Sequence, residues 1–237
     1  MRRAVIALQF MTRLPLPAVR AEGQDFSASM RWFPLAGLVV GGAVALAAWA
    51  GMRTDAVLGG LLGLIAWTAI TGALHLDGLG DMADAVGAVH KGRERLSAVL
   101  ADPHIGSFGV VAIGVQLLAK LVLLSLVLTR APLWVLPVVC MIARIGPLIW
   151  TLTLPSLHDG LGAKFRGAVG WGHVALWTIP TLIAVWFVPG LAAGALLIPA
   201  WGWWIKARIG GVSGDGHGAG LECTESGLLL AVVMAAS

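Results

Sequence analysis

Long apolar runs alternate with short polar intervals along almost the whole chain. Phe33 to Met52 is the first run, and Arg53, Thr54 and Asp55 form a tight turn after it. Ala56 to Leu76 is the second, Phe108 to Thr129 the third and Pro132 to Leu152 the fourth. The stretch 173–205 stays apolar until Pro189-Gly190 interrupts it, which divides it into a fifth and a sixth run. Leu221 to Ser237 carries Glu222 and Glu225 and reads as a short seventh span or a half-inserted helix. The four full-length runs have about the twenty residues needed to cross a hydrocarbon core of roughly 30 Å. They lack the alternation of a barrel strand, so the pattern predicts helices. The fold class is therefore all-α: a polytopic membrane bundle of six to seven transmembrane helices in one domain, 1–237. Residues 1–32 form an interfacial segment, because Leu14-Pro15-Leu16-Pro17 cannot continue a helix. The polar intervals are 77–107, 153–172 and 206–220. Within the first, Arg93 to Leu100 suits a short amphipathic helix that Pro103 and Gly106 end.

Composition supports this class. Hydrophobic residues make up 58% of the 237 and charged residues 12%, against about 25% charged in soluble domains; the mean hydropathy is +0.88. Tyr is absent, and several of the Trp residues fall near predicted span ends, as interfacial anchors do. Cys140 and Cys223 have no ligand spacing and read as free thiols. Arg2 and Arg3 precede an apolar stretch broken by Arg13 and Pro15, which does not suit a removed signal peptide. The formal charge of +4 needs no nucleic-acid partner, since no basic patch is interleaved with aromatics. Twelve Lys/Arg fall in the N-terminal segment and the polar intervals, against Arg53 and Arg130 on the other side. That bias puts the polar intervals, and any chemistry they carry, on the cytoplasmic face of a bacterial inner membrane. The partner that composition demands is the lipid bilayer; a homo-oligomer stays open.

The chemistry concentrates in His75-Leu76-Asp77-Gly78-Leu79-Gly80-Asp81-Met82-Ala83-Asp84. In a helix, Asp77, Asp81 and Asp84 stand at i, i+4 and i+7, all on one face. Like charges so close call for a cation between them, and Mg²⁺ shared with substrate phosphates fits best. Gly78 and Gly80 leave room for a phosphate beside the carboxylates. The plain alternative is a solvated acidic helix face. Asp215 sits among glycines in a glycine-rich loop, Gly210 to Gly220, that returns to the same side, where it can meet the stripe; the plain alternative is a flexible connector. Lys120 and Arg144 are cations inside spans, where a charge marks function or a buried pair. Arg144 suits a substrate phosphate or an Asp of the stripe. His75 is a candidate substrate contact. An ion transporter using the stripe is a competing class, but transporters place their sites near the midplane.

These residues resemble the cobalamin synthase family, adenosylcobinamide-GDP ribazoletransferases. The resemblance rests on the stretch from Thr71 to Asp84. It is joined by Phe10-Met11-Thr12-Arg13-Leu14-Pro15-Leu16-Pro17 and Phe33-Pro34-Leu35-Ala36-Gly37. Two further blocks are Arg95 with Asp102, Ile105, Gly106 and Gly109, and the stretch from Gly210 to Asp215 with Gly218, Ala219 and Glu222. Several positions depart from the family pattern: Gly80 for Ala, Ala85 for Gly, Pro103-His104 for Ser-Arg, Ser213 for Thr and His217 for Leu. The resemblance implies a Mg²⁺-dependent phosphotransferase that joins adenosylcobinamide-GDP to α-ribazole or its 5′-phosphate and releases GMP. It implies metal ligands among Asp77, Asp81 and Asp84, a base in Asp84 or Asp215, and substrate contacts from Arg13, Arg95, Asp102, Gly211 and Gly214. The acidic motif also looks like a variant of that in CDP-alcohol phosphotransferases, which make phospholipids, although the Asp-Gly-x-x-Ala-Arg segment is missing at Gly80-Asp81.

Overall fold

Pro34 needs no partner for an absent N–H in the first turn of a helix, so the chain enters its first long helix there. The computed structural model describes residues 2–19, 23–88, 104–157, 165 and 167–236. A short helix α1 (Arg2–Met11) leads through the Pro-rich segment to α2 (Gly23–Ser29), which runs through a 3₁₀ turn into α3 (Phe33–Met52). The Asp55 carboxylate accepts from the Leu58 N–H at 2.8 Å and starts α4 (Ala56–Thr71). Gly51 and Gly59 let α3 and α4 approach closely, as small residues do between membrane helices. Then follow α5 (Leu74–Ala88), α6 (Ser107–Arg130), α7 (Val135–Ala143), α8 (Ile145–Thr153), α9 (Trp171–Phe187), α10 (Gly194–Arg208) and α11 (Gly214–Ala235). Among the described residues there is no strand, and one isolated parallel bridge joins Ser156 to Val212.

The outer faces carry Leu46, Val57, Ile65, Val115, Leu118, Val122, Leu182 and Leu196, all exposed. Lipid is the solvent that tolerates such a surface, so the chain is a multi-pass membrane protein. Among the described residues, four segments are long and apolar enough to cross: Gly23–Met52, Ser107–Arg130, Val135–Thr153 and Gly214–Ala235. The bent pair α4–α5 makes five if it counts as one span. The six to seven spans expected from the pattern include α9 and α10, which at 17 and 15 residues are shorter than the about 20 of a typical span.

Three local breaks place the site. The second span ends at Thr71, five residues before the Leu76 that the pattern predicts, because Gly72 (φ 60°) and Ala73 (φ 59°) both take left-handed backbone. Glycine does this freely; Ala73 pays strain of about 1–3 kcal/mol. The chain turns by 86° and α5 sets off across the end of the bundle. The fourth span is broken at Arg144, between α7 and α8, three residues before Pro147. Proline has no N–H for the Ala143 carbonyl, which frees the turn there. The third break is a start: α11 begins at Gly214, inside the stretch read from sequence as a glycine-rich loop. Ser213 caps it, its hydroxyl accepting from the Gly216 N–H at 3.0 Å. The glycines that follow serve packing rather than flexibility, since a Cβ at Gly216, Gly218 or Gly220 would meet Ile205, His75 or Trp150.

Candidate active site

Arg13 holds the bend from which the site is built. Its N–H donates to the Ile70 carbonyl at 2.7 Å, taking an acceptor that the end of α4 leaves free. Its exposed side chain lies over Gly72, where a Cβ would stand. The N-terminal Arg13 motif and the acidic motif, far apart in sequence, thus meet at the start of α5.

From there α5 crosses α11 at two glycines. A Cβ at Gly78 would lie 2.9 Å from the Asp215 carbonyl oxygen, and one at Gly218 would lie 3.4 Å from the His75 backbone. This crossing brings Asp215 to the acidic stripe, as its place in the sequence suggests. It also fills the room that the sequence reading leaves for a phosphate beside the glycines. Asp215 backbone occupies the space at Gly78, and the Ile113 and Ile105 side chains occupy it at Gly80. Close helix packing is what these glycines permit.

Asp77, Asp81 and Asp84 share one face of α5 but have different surroundings. Asp77 is exposed and lines a cavity together with Asp215. The Asp81 carboxyl is pushed up to about 6 by its partial burial first, and then by the charges of Asp215, Asp77 and Asp84. The Asp84 carboxylate spans the start of α6, accepting from Gly106 N–H at 2.7 Å and Gly109 N–H at 3.1 Å. It satisfies amides that a helix start leaves open and lies at the positive end of the dipole.

Among the described residues, no three carboxylate, imidazole or thiol groups converge on a common point as the side chains stand. Mg²⁺ does not require that: it is commonly held by one or two carboxylates together with substrate phosphates. The unneutralised charge that raises Asp81 is the kind of donor set that such a cation relieves.

The cavity has a volume of about 260 Å³ and lies between α1, α3, α5 and α11. Asp77, Asp215 and the exposed Gly214 line it on one side, and Phe10, Phe33 and Phe165 are among its walls. His75 and His217 also line it. Gly211 lies elsewhere: it is buried, and a Cβ there would meet the Pro155 carbonyl at 2.6 Å. It lets the backbone form the bridge in which Val212 N–H donates to the Pro155 carbonyl at 2.9 Å and Leu157 N–H to the Val212 carbonyl at 3.0 Å. Arg95, Asp102 and the helix expected over 93–100 lie outside the described residues.

Lys120 and Arg144 are fully buried and face the bundle interior, where their counter-ions are glutamates of α11 rather than the Asp stripe. Lys120 Nζ lies 2.8 Å from Glu222 and 2.6 Å from Glu225, and Arg144 Nη1 lies 2.8 Å from the other oxygen of Glu225. Gln116 donates to the Glu222 carboxylate at 2.7 Å and to its carbonyl at 2.9 Å. Lys120 also stands 4.1 Å from the Trp67 ring centroid. The sequence reading allows each cation a buried pair but does not join either to Glu222 or Glu225. The available signal was charge balance, two acids at i and i+3 in an apolar tail against two cations in earlier spans.

The model of the cobalamin-5-phosphate synthase family matches residues 3–233. The chain belongs to that family. It is 56% identical to the adenosylcobinamide-GDP ribazoletransferase of Novosphingobium aromaticivorans, over 99% of this chain and 97% of the relative. It is 46% identical to the enzyme of the same name from Thiobacillus denitrificans (97% and 94% covered) and 43% identical to that of Laribacter hongkongensis (99% and 98%). No solved structure matches the chain. The match therefore reaches every element described above, from α1 to α11, and the Arg13, Asp77–Asp84 and Asp215 blocks lie within it.

Proposed function

We propose that this chain joins adenosylcobinamide-GDP to α-ribazole or its 5′-phosphate, giving adenosylcobalamin or its 5′-phosphate and GMP. What carries the reading is the meeting of Asp77, Asp81 and Asp215 beside a cavity, in a chain that matches the family along nearly its whole length. The phospholipid-synthase and transporter readings are not favoured by that match. Asp77 and Asp81, with Asp84 alongside, would hold Mg²⁺, which when bound would neutralise charge on the pyrophosphate and on the departing GMP. The ribose 3′-hydroxyl attacks the phosphorus attached to cobinamide, the bond from that phosphorus to the bridging oxygen breaks, and GMP leaves with the electron pair. A carboxylate accepts the hydroxyl proton. Asp215 suits that role better than Asp84, because it lines the cavity while both Asp84 oxygens already accept amide protons. The twelve-to-two split of basic residues supports a site on the cytoplasmic face of the inner membrane.

The test is GMP release by the purified protein in lipid nanodiscs, supplied with adenosylcobinamide-GDP, α-ribazole and Mg²⁺. Asp77→Asn and Asp81→Asn should each lower turnover about 10³-fold, on the order of 4 kcal/mol of transition-state stabilisation. Absence of GMP from the unmodified protein would overturn the assignment.

A further inference from the structure

The lipid-facing surface is hollowed beside α5. A groove of about 760 Å³ runs between α5, α6 and α10 and reaches α11 at its floor. Leu79, Ala83 and Val86 wall it from α5, at i, i+4 and i+7. On the helix they lie about opposite Asp77, Asp81 and Asp84. So α5 turns its carboxylates to one side and the groove wall to the other. Phe108 and Val111 form the α6 wall, and Trp201 and Trp204 the α10 wall. These two indoles stack with centroids 4.9 Å apart, and Trp201 Nε1 donates to the Gly216 carbonyl at 3.0 Å. The floor is Cys223, the one exposed residue between Gly216 and Glu225 in a stretch of α11 that is otherwise buried. No residue lining the groove is charged.

The groove is continuous with the surface that meets lipid. Phe108 and Val111 are exposed and head a stripe that continues down α6 through Val115, Leu118 and Val122. Exposed Leu196 and Trp203 flank it on α10. A second hollow of about 380 Å³ shares Trp201, Trp204 and Cys223 and extends the groove past Leu197 and Ala200. Its occupant is therefore elongated, apolar and supplied by the bilayer: an acyl chain.

The α10 wall also says which lipid. Leu197, Trp201, Trp204 and Arg208 stand at i, i+4, i+7 and i+11, a single face of that helix. From Leu197 to Arg208 the helix rises about 16 Å, close to one leaflet of a hydrocarbon core of roughly 30 Å. Arg208 is exposed and ends this face at the membrane surface. A guanidinium in that position takes phosphate oxygens in a fork. We infer that the groove holds an acyl chain of an anionic phospholipid whose phosphate rests on Arg208, in the leaflet nearer the acidic stripe. A chain seated there backs α5 on the face opposite its carboxylates. The site does not depend on the reaction proposed above.

Photo-crosslinking of the unmodified protein tests the site. Nanodiscs of phosphatidylcholine carry a trace of phosphatidylglycerol with a diazirine in its acyl chain, or the same probe chain on phosphatidylcholine, and peptide mass spectrometry maps the adducts. Inside the groove, Cys223 and Ala112 should be marked about fivefold more by the phosphatidylglycerol probe, the factor that one basic side chain near the surface contributes. Unlabelled phosphatidylglycerol should compete these adducts away. Val115 and Leu118, on the open lipid face, should be marked alike by both probes. Arg208→Gln should abolish the headgroup preference, and Ala112→Trp, which fills the groove, should lower the Cys223 adduct about tenfold. Equal marking of the groove by the two probes makes its contents ordinary boundary lipid and overturns the inference. So does a groove without adducts, whether a crosslinked dimer shows a second copy seated there or the protein stays monomeric. The comparison of probes needs no variant, so a substitution that prevents folding leaves the outcome decided.

Discussion

Replacing Lys120 by Met should destabilise the bundle severely, and also removing Glu222 should recover much of the loss. In the native cluster two cations face two carboxylates, all 4% exposed or less. Lys120→Met leaves Glu222 and Glu225 with Arg144 alone, one net negative charge in the interior. Removing one partner of a buried pair costs roughly 3–5 kcal/mol. Met fills the lysine stem's volume and keeps contact with Trp67, so little of this arises from packing. The double variant Lys120→Met/Glu222→Gln leaves the neutral Arg144–Glu225 pair, and the new amide oxygen still accepts from Gln116. Its cost should fall below the sum of the singles by about 2–3 kcal/mol. For a chain of this size about 2–4 °C corresponds to each kcal/mol, so Lys120→Met should melt roughly 10 °C below the native protein in nanodiscs. Additive singles, or a Lys120→Met protein that melts like the native one, would show that the four groups do not share one electrostatic field.

The Asp81 carboxyl predicts a pH dependence. Its folded-state value of about 6 lies above the ordinary carboxyl value of 3.8, so its contribution to stability is fully present below about 4 and lost as pH rises through about 6. Melting without Mg²⁺ should therefore fall over that window, and Mg²⁺ should raise it most above pH 6; a metal effect independent of pH would contradict the stripe as its site. Asp84→Asn should cost about 1–2 kcal/mol, because one of its two accepting oxygens becomes an NH2 group that cannot accept from the Gly106 or Gly109 N–H, and the other loses its charge. Amide exchange at Gly106 and Gly109 should quicken with it; unchanged exchange would deny the cap. Reporter fusions after Arg53 and Arg130 should read periplasmic, and the opposite pattern would invert the site's placement.

The helical bundle was legible because a period of apolar runs survives any detail of packing. The acidic stripe was legible because i, i+4, i+7 spacing needs only a helix, and α5 supplies one. The 86° bend was hidden, since nothing local distinguishes Ala73 in left-handed backbone from Ala73 in a helix. The start of α11 was misread because glycine's low helix propensity argues for a loop. There the close approach of α5, α10 and Trp150 outweighs propensity, and contacts between distant elements have no signature in one sequence. Gly78 and Gly80 were misread for the same reason. The partners of Lys120 and Arg144 lay about 80 to 105 residues away, beyond any spacing rule.

The pairing of Lys120 and Arg144 with α11 also constrains how the chain is made. Synthesis and insertion run from the N-terminus, so both cations enter the bilayer before Glu222 and Glu225 leave the ribosome. Each cation at a helix centre costs about 2.5–3.5 kcal/mol on insertion scales, and until α11 arrives no carboxylate of the cluster offsets it. The final helix is then the step that locks the nascent bundle. A chain released before Gly214 would hold two uncompensated charges in lipid and present itself to membrane quality control as unfinished.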